Sequence, residues 1–305
     1  MTVLVFGSAN ADLVFRLPAL PAPGETVLGP AYEALPGGKG ANQAVAAARD
    51  GARGVAFAGA VGRDPLAAVA TVALRAAGVG LSRLAVVEAA PTGCAAICVD
   101  PVGANQIAVA AGANALARAE AVEDAALGPA TVLLVQMEVP AEETAALVLR
   151  ARARGARAVL NLAPAGEMPP EALRAVHLLV VNAREAEWLA VRLGGCAAEA
   201  AALSAALGGV GVVVTRGVEG AEAATEGVAW HVPAFAAPAP VVDTTGAGDA
   251  WCGVLAAALD RGLPLAAAMR RASAAAAIAC TRTGAAASCP TAAETDALLG
   301  AMGCG

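Results

Sequence analysis

The stretch Asp243-Thr244-Thr245-Gly246-Ala247-Gly248-Asp249, continued by Ala-Trp-Cys-Gly-Val-Leu-Ala-Ala-Ala-Leu to Leu259, decides how this chain is read. An extended apolar lead-in, Ala239 to Val242, runs into a turn of small residues, and a helical pattern sets in near Gly248. The main-chain N–H groups of Gly246, Ala247 and Gly248 lack helical acceptors at such a start. They sit at the positive end of the helix dipole and so form an anion site. Glycine lets a bulky anion approach the main chain closely. Asp249 then stands beside the anion. A carboxylate there either takes a proton from an attacking hydroxyl or stabilises the helix start.

Upstream, a second glycine turn feeds a helix: Gly37-Gly38-Lys39-Gly40-Ala41-Asn42-Gln43, ending near Asp50-Gly51. Its glycine spacing is not that of a Walker A loop, and it is no dinucleotide fingerprint. It offers main-chain N–H groups, one cation and one amide converging on something polar, or else a plain tight turn. At the start, the apolar run Val3–Gly7 suits a buried parallel strand, with Ser8-Ala9-Asn10-Ala11-Asp12 at its carboxyl end. Asn10 and Asp12 can face a polyhydroxylated ligand or close an Asx turn. Residues 13–35 are rich in proline and glycine and form an excursion, with Thr26-Val27-Leu28 as strand-like. Thr92–Val99 and Asn105–Ala110 read as a hairpin.

Elsewhere strand and helix alternate. Strands are expected over 55–61, 131–136, 158–162, 176–181 and 210–215; helices are expected over 65–77, 140–154, 185–193, 248–261 and 265–280. Repeated βα units imply an α/β fold with a mostly parallel sheet and helices on both faces. Polar groups collect at the strand ends: Gln136-Met137-Glu138, Asn161, Asn182-Ala183-Arg184-Glu185 and Thr215-Arg216-Gly217-Val218-Glu219-Gly220. Together they suggest a site along the sheet rim.

Composition narrows the class. Of 305 residues, 58% are hydrophobic and only 3% aromatic, so the core is built from many small contacts. The net charge is −6 with no basic run, which argues against nucleic-acid or anionic-membrane binding. Lys39 is the only lysine. Seven cysteines without a Cys-x-x-Cys, and only two histidines, point to buried thiols in a reducing compartment. The N-terminus lacks a basic leader, and the long uncharged runs 200–215 and 227–242 read as core, so a cytoplasmic location is expected.

Three motifs, Gly37–Gln43, Asn182-x-x-Glu185 and Asp243–Asp249, stand in an order and spacing that resemble the ribokinase-like (PfkB) carbohydrate kinases. The likeness runs from Ser8-x-Asn10-x-Asp12 to Thr281-Arg282-Thr283-Gly284. Pro23-Gly-Glu-Thr26 and Ala111-Gly-Ala-Asn114 point to the branch that acts on ribose. The resemblance implies one domain over 1–305: a three-layer fold with a small β-sheet lid from about 10–35 and 92–110, which also makes a homodimer contact. It implies transfer of the ATP γ-phosphoryl to the 5-hydroxyl of D-ribose, with Asp249 as general base and 246–248 as anion hole. Asn10, Asp12, Gly38, Lys39, Asn42 and Glu138 would hold the sugar, with Asp249 also on its hydroxyl. Asn182, Thr215, Gly217, Gly220 and Gly248 would border the nucleotide, and Glu185 would act on Mg²⁺ indirectly. Asp243, Thr245, Ala279, Arg282, Gly284 and Ser288 match a K⁺ loop, partly through main-chain oxygens.

Two positions depart from that pattern: Ala183 and Arg184 inside Asn-x-x-Glu, and Ser273 where a histidine often lies near adenine. The rival readings are a kinase for fructose, 2-keto-3-deoxygluconate or pseudouridine, and a non-catalytic sugar- or nucleotide-binding protein. A nicotinamide dehydrogenase lacks support, since Gly7-Ser8-Ala9-Asn10 supplies no Gly-x-Gly-x-x-Gly.

Overall fold

In the computed structural model, which describes residues 2–301, two sheets share one molecule. The large sheet takes β1 (Thr2–Phe6), β4 (Val55–Gly62), β5 (Gly80–Val87), β8 (Thr131–Val135), β9 (Arg157–Asn161), β10 (Leu178–Asn182), β11 (Gly211–Thr215), β12 (Ala221–Thr225) and β13 (Val228–Val232). Its order is β13-β12-β11-β10-β9-β8-β1-β4-β5, parallel from β11 to β5, with β12 and β13 antiparallel at one edge. The small sheet, β3-β2-β6-β7, uses β2 (Asn10–Arg16), β3 (Tyr32–Gly37), β6 (Gly93–Val99) and β7 (Asn105–Ala110).

Side-chain alternation shows why helices cover both faces of the large sheet. Leu4, Phe6, Leu133 and Val135 point into one core, while Val3, Val5, Val132 and Leu134 point into the other. The first core is closed by α3 (Ala141–Ala153), α4 (Pro170–Ala175), α5 (Ala183–Arg192) and α6 (Ala200–Ala206). The second is closed by α1 (Lys39–Arg49), α2 (Pro65–Ala76), α7 (Ala247–Asp260) and α8 (Leu265–Ala279); α9 (Ala292–Ala301) packs on α8. Asp64 caps α2, its carboxylate accepting from Leu66 N at 2.9 Å and Ala67 N at 3.2 Å, with Pro65 as the first helical residue.

The chain leaves β1 toward β4 and β5 on one side and returns through β8 to β11 on the other. The order therefore reverses between β1 and β8, where a crevice opens at the carboxyl ends of the strands. Helices α1 and α7 frame that crevice and touch through small residues. A Cβ on Gly253 would lie 2.3 Å from Gln43 O and 2.6 Å from Ala46 Cβ. The alanine-rich composition thus lets two helices approach as backbones.

Two local expectations are corrected, and one strand was not anticipated. Residues 26–28 form no strand; the second strand of the excursion is Tyr32–Gly37. The run 227–242 is core only in part: Val232 is buried with Trp230 packed beside it, but β13 is an edge strand with Val228 61% exposed, and the lead-in ends in an irregular loop with Val241 and Val242 59% and 62% exposed. Ala234, Phe235, Ala236, Ala237 and Val241 line a cavity. Strand β5 lacked a continuous apolar run because it is the other edge and is half-exposed along its length.

Candidate active site

Asp249 lies in the first turn of α7 and is only 6% exposed. Its Oδ2 accepts from Asn42 Nδ2 at 3.0 Å and its Oδ1 from Gln43 Nε2 at 2.9 Å, so α1 and α7 meet at the carboxylate. Gly246 caps the helix in the left-handed region, φ 74°. Side chains larger than hydrogen are excluded there, since a Cβ would sit 2.6 Å from Ala285 Cα. One part of the expected anion hole is corrected. Ala247 N already donates to Thr244 O at 3.2 Å, in the turn that sets up the helix. The N–H groups of Gly246, Gly248 and Asp249 have no protein acceptor among the described residues and form the free donor set.

Two cavities meet at this helix start. The larger, about 640 Å³, is walled by Thr215, Gly217, Gly220, Phe235, Ser273 and Ala276, among others. The smaller, about 80 Å³, is lined by Lys39, Asn161, Asn182, Glu185, Asp249 and Cys252. They share Thr215, Gly248 and Trp251, so a ligand in the large one reaches toward Asp249 past Gly248. A Cβ on Gly248 would meet nothing within 4 Å, which leaves that passage open. Ser273, where a histidine was the reference, accepts from Trp251 Nε1 at 3.2 Å inside the large cavity.

The remaining candidates cluster around β1, β8 and the small sheet. Glu138 Oε2 accepts from Ser8 Oγ at 2.5 Å and from Lys39 N at 3.0 Å. Asn10, 4% exposed, is not in an Asx turn but begins β2, and its Oδ1 accepts from Asn114 Nδ2 at 2.7 Å. That leaves the Asn10 N–H₂ without a protein acceptor among the described residues. Gly38, φ 89°, turns the chain into α1 and would clash with Ala9 and Asn10 backbone if it carried a Cβ. Burial, then the neighbouring charges of Glu138 and Asp249, push the Asp12 carboxyl up to about 6. Lys39 answers these charges: Asp249 foremost raises its pKa, against the opposing effect of burial, with Glu138 and Glu185 adding to it. Cys252 is buried, and desolvation, then Asp249, push its thiol far up, so it is a neutral wall and no nucleophile.

Asn182 and Glu185 form a capping box on α5: Glu185 N donates to Asn182 Oδ1 at 2.9 Å, and Asn182 N to Glu185 Oε2 at 2.8 Å. Local structure therefore accounts for the motif, yet both residues also line the small cavity, and burial raises the Glu185 pKa. Arg184 is exposed beside it. Asp243 ties two loops together, accepting from Thr245 N at 2.8 Å and Gly284 N at 2.9 Å. Burial alone would raise its pKa; the hydrogen bonds from Gly284 and Thr245 outweigh it and hold the carboxyl low. Ser288 Oγ donates to Ala285 O at 2.8 Å, Arg282 turns to Glu294 at 2.5 Å, and Ala279 closes α8 next to this loop. No group of three or more His, Cys, Asp or Glu among the described residues is arranged to hold a metal ion.

Sequence reasoning left four partners without a role: Ser8 behind Glu138, Asn114 behind Asn10, and Gln43 and Gln136 behind Asp249. All four were inside quoted motifs, which was the available signal.

The chain belongs to the pfkB family of carbohydrate kinases, whose model matches residues 2–292; these enzymes transfer a phosphoryl group to a sugar hydroxyl. More particularly, it is similar to the ribokinase of Haemophilus influenzae, 36% identical over 299 residues, covering 96% of this chain and 97% of that one. Among solved structures, it is similar to ribokinase from Thermotoga maritima, with TM-score 0.91 and 33% identity over 98% of this chain and 99% of that one. It is likewise similar to Arabidopsis thaliana ribokinase complexed with ribose and ATP, with TM-score 0.85 and 30% identity over 97% of this chain and 98% of that one.

Proposed function

We propose that the protein transfers the γ-phosphoryl of ATP to the 5-hydroxyl of D-ribose, giving D-ribose 5-phosphate. The observation that carries this reading is the position of Asp249, at the junction of the large cavity with the sugar-side cluster and beside three unpaired N–H donors. ATP occupies the cavity walled by Thr215, Gly217 and Gly220, with its phosphates toward Gly248 and Asn182. Ribose lies over Asn10, Asp12, Gly38, Lys39, Asn42 and Glu138, with the small sheet as lid. The likeness to ribokinases along nearly the whole chain favours ribose over fructose, 2-keto-3-deoxygluconate or pseudouridine.

Asp249 receives the hydroxyl proton as the oxygen attacks. The N–H groups of Gly246, Gly248 and Asp249 stabilise charge on the moving phosphoryl. In a chain of net charge −6, positive potential must be supplied locally, and Lys39, protonated beside Asp249, supplies it. Mg²⁺ fits this site through water and phosphate, because Glu185 has one oxygen outside its capping box at the edge of the small cavity. When bound it neutralises phosphate charge. K⁺ fits the 243–288 loops, whose donors are a low-pKa carboxylate and main-chain oxygens.

The second sheet supports a homodimer contact: all six residues of β7 are exposed, with Ile107 and Val109 57% and 59% exposed. No helix among the described residues is long and apolar enough to cross a membrane. The unpaired thiols Cys94, Cys98, Cys196, Cys252, Cys280 and Cys289 favour the cytoplasm.

The test is Asp249→Asn in a coupled assay over a panel of sugars and nucleosides. Turnover with ribose should fall at least about a hundredfold, with ribose binding changed only a few-fold. Substantial turnover in the variant would place the base elsewhere, and a better substrate than ribose would move the assignment to another sugar.

A further inference from the structure

Beneath Asp249 runs a chain of buried amides that the reaction as described above does not use. Gln136, at the end of β8, donates from Nε2 to Gln43 Oε1 at 2.6 Å. Gln43 in turn donates from Nε2 to Asp249 Oδ1 at 2.9 Å and to Asn161 Oδ1 at 3.0 Å. Gln43 and Gln136 are both wholly buried. The direction of the chain is forced, because a carboxylate only accepts. A reversed Gln43 would set its oxygen against that of Asp249, and the N–H of Gln136 on Gln43 Oε1 holds it from reversing. The absence of a side chain on Gly7 makes room for this link: a Cβ there would lie 2.1 Å from Gln136 Oε1.

Asn42 occupies the other oxygen of Asp249. With one amide on each oxygen, the carboxylate plane is fixed, and each oxygen keeps a lone pair for a hydroxyl. We propose that Gln43, locked by Gln136, is a positioning residue that sets the orientation of Asp249 for proton transfer; this rests on Asp249 being the proton acceptor. Neither glutamine is among the groups proposed to hold sugar or nucleotide, so their effect falls on turnover and not on ribose binding.

The experiment compares Asp249→Asn, Gln43→Met, Gln136→Met and the double glutamine variant, measuring kcat, ribose KM and melting temperature. Gln43→Met should lower kcat about tenfold to thirtyfold with ribose KM within about twofold. Gln136→Met should lower kcat about threefold to fivefold, and the double variant should match Gln43→Met alone, since the outer link acts only through the inner one. A purely structural role would shift melting temperature and leave kcat intact, which overturns the proposal. Effects that multiply in the double variant overturn it as well. If Gln43→Met does not fold, Gln136→Met decides alone, and a wild-type kcat in it refutes the lock. An active Asp249→Asn would overturn the reading of the base and the lock with it, whereas an inactive one beside a fully active Gln43→Met overturns only the lock.

Discussion

Replacing Asp12 by asparagine removes a negative charge that the fold holds at a disadvantage. Burial, followed by the charges of Glu138 and Asp249, raises its pKa from 3.8 to about 6. In the unfolded chain no such neighbours exist, so the native state binds the proton more tightly. Below about pH 4 both states are protonated and nothing is lost. As pH rises toward 6, the unfolded chain releases the proton first and stability falls; above 6 the full penalty is present. About two pKa units at 1.36 kcal/mol each give about 3 kcal/mol, an upper bound because Lys39 and solvent relax around the charge. Without sugar, Asp12→Asn should therefore melt about 5 °C higher than the wild type at pH 7.5, and the gain should shrink to about a third of that at pH 4.5. In the same variant ribose KM should rise about tenfold to a hundredfold, because a charged acceptor for sugar hydroxyls is gone. Differential scanning calorimetry at the two pH values, paired with kinetics, reads both effects. An equal gain at both pH values, or none at pH 7.5, would refute the electrostatic account.

Two glycines five positions apart on α7 should behave oppositely. Gly248→Ala meets no atom within 4 Å and should melt within about 2 °C of the wild type, yet lower kcat/KM for ATP about tenfold or more by standing where the phosphate approaches N–H donors. Gly253→Ala collides with main chain at 2.3 Å and should lose several kcal/mol of stability, read by chemical denaturation. Turnover should be faster in K⁺ than in Na⁺, and Asp243→Ala should abolish the difference; equal wild-type rates in the two salts would count against the cation loop.

What the sequence made legible was local. The Asp243–Asp249 turn, the Gly37–Gln43 turn and the Asp64-Pro65 cap each encode a backbone shape within a few residues, and the structure forms helix starts at all of them. The α/β alternation followed from the same kind of signal. The partners of Asp249 were hidden because Gln43 reaches it across 206 residues of chain and Gln136 reaches Gln43 across 93. No periodicity reports which amide meets which. The run 227–242 misled in part for another reason: apolar residues also wall cavities, as Phe235 and Val241 do, and composition alone does not tell a cavity wall from the interior. The pairing of Ala247 N with Thr244 O likewise depends on how tightly one turn closes, which residue types do not state.

The bare contact between α1 and α7 at Gly253 has a consequence for how such an enzyme changes its substrate. With main chain against main chain at Gly253 and the amides of Asn42 and Gln43 on Asp249, the two helices form one stiff block, and Asp249 travels with the start of α1. On the proposed reading, the part of the sugar site carried by strand β2, Asn10 and Asp12, lies outside that block and can be remodelled with less disturbance to Asp249.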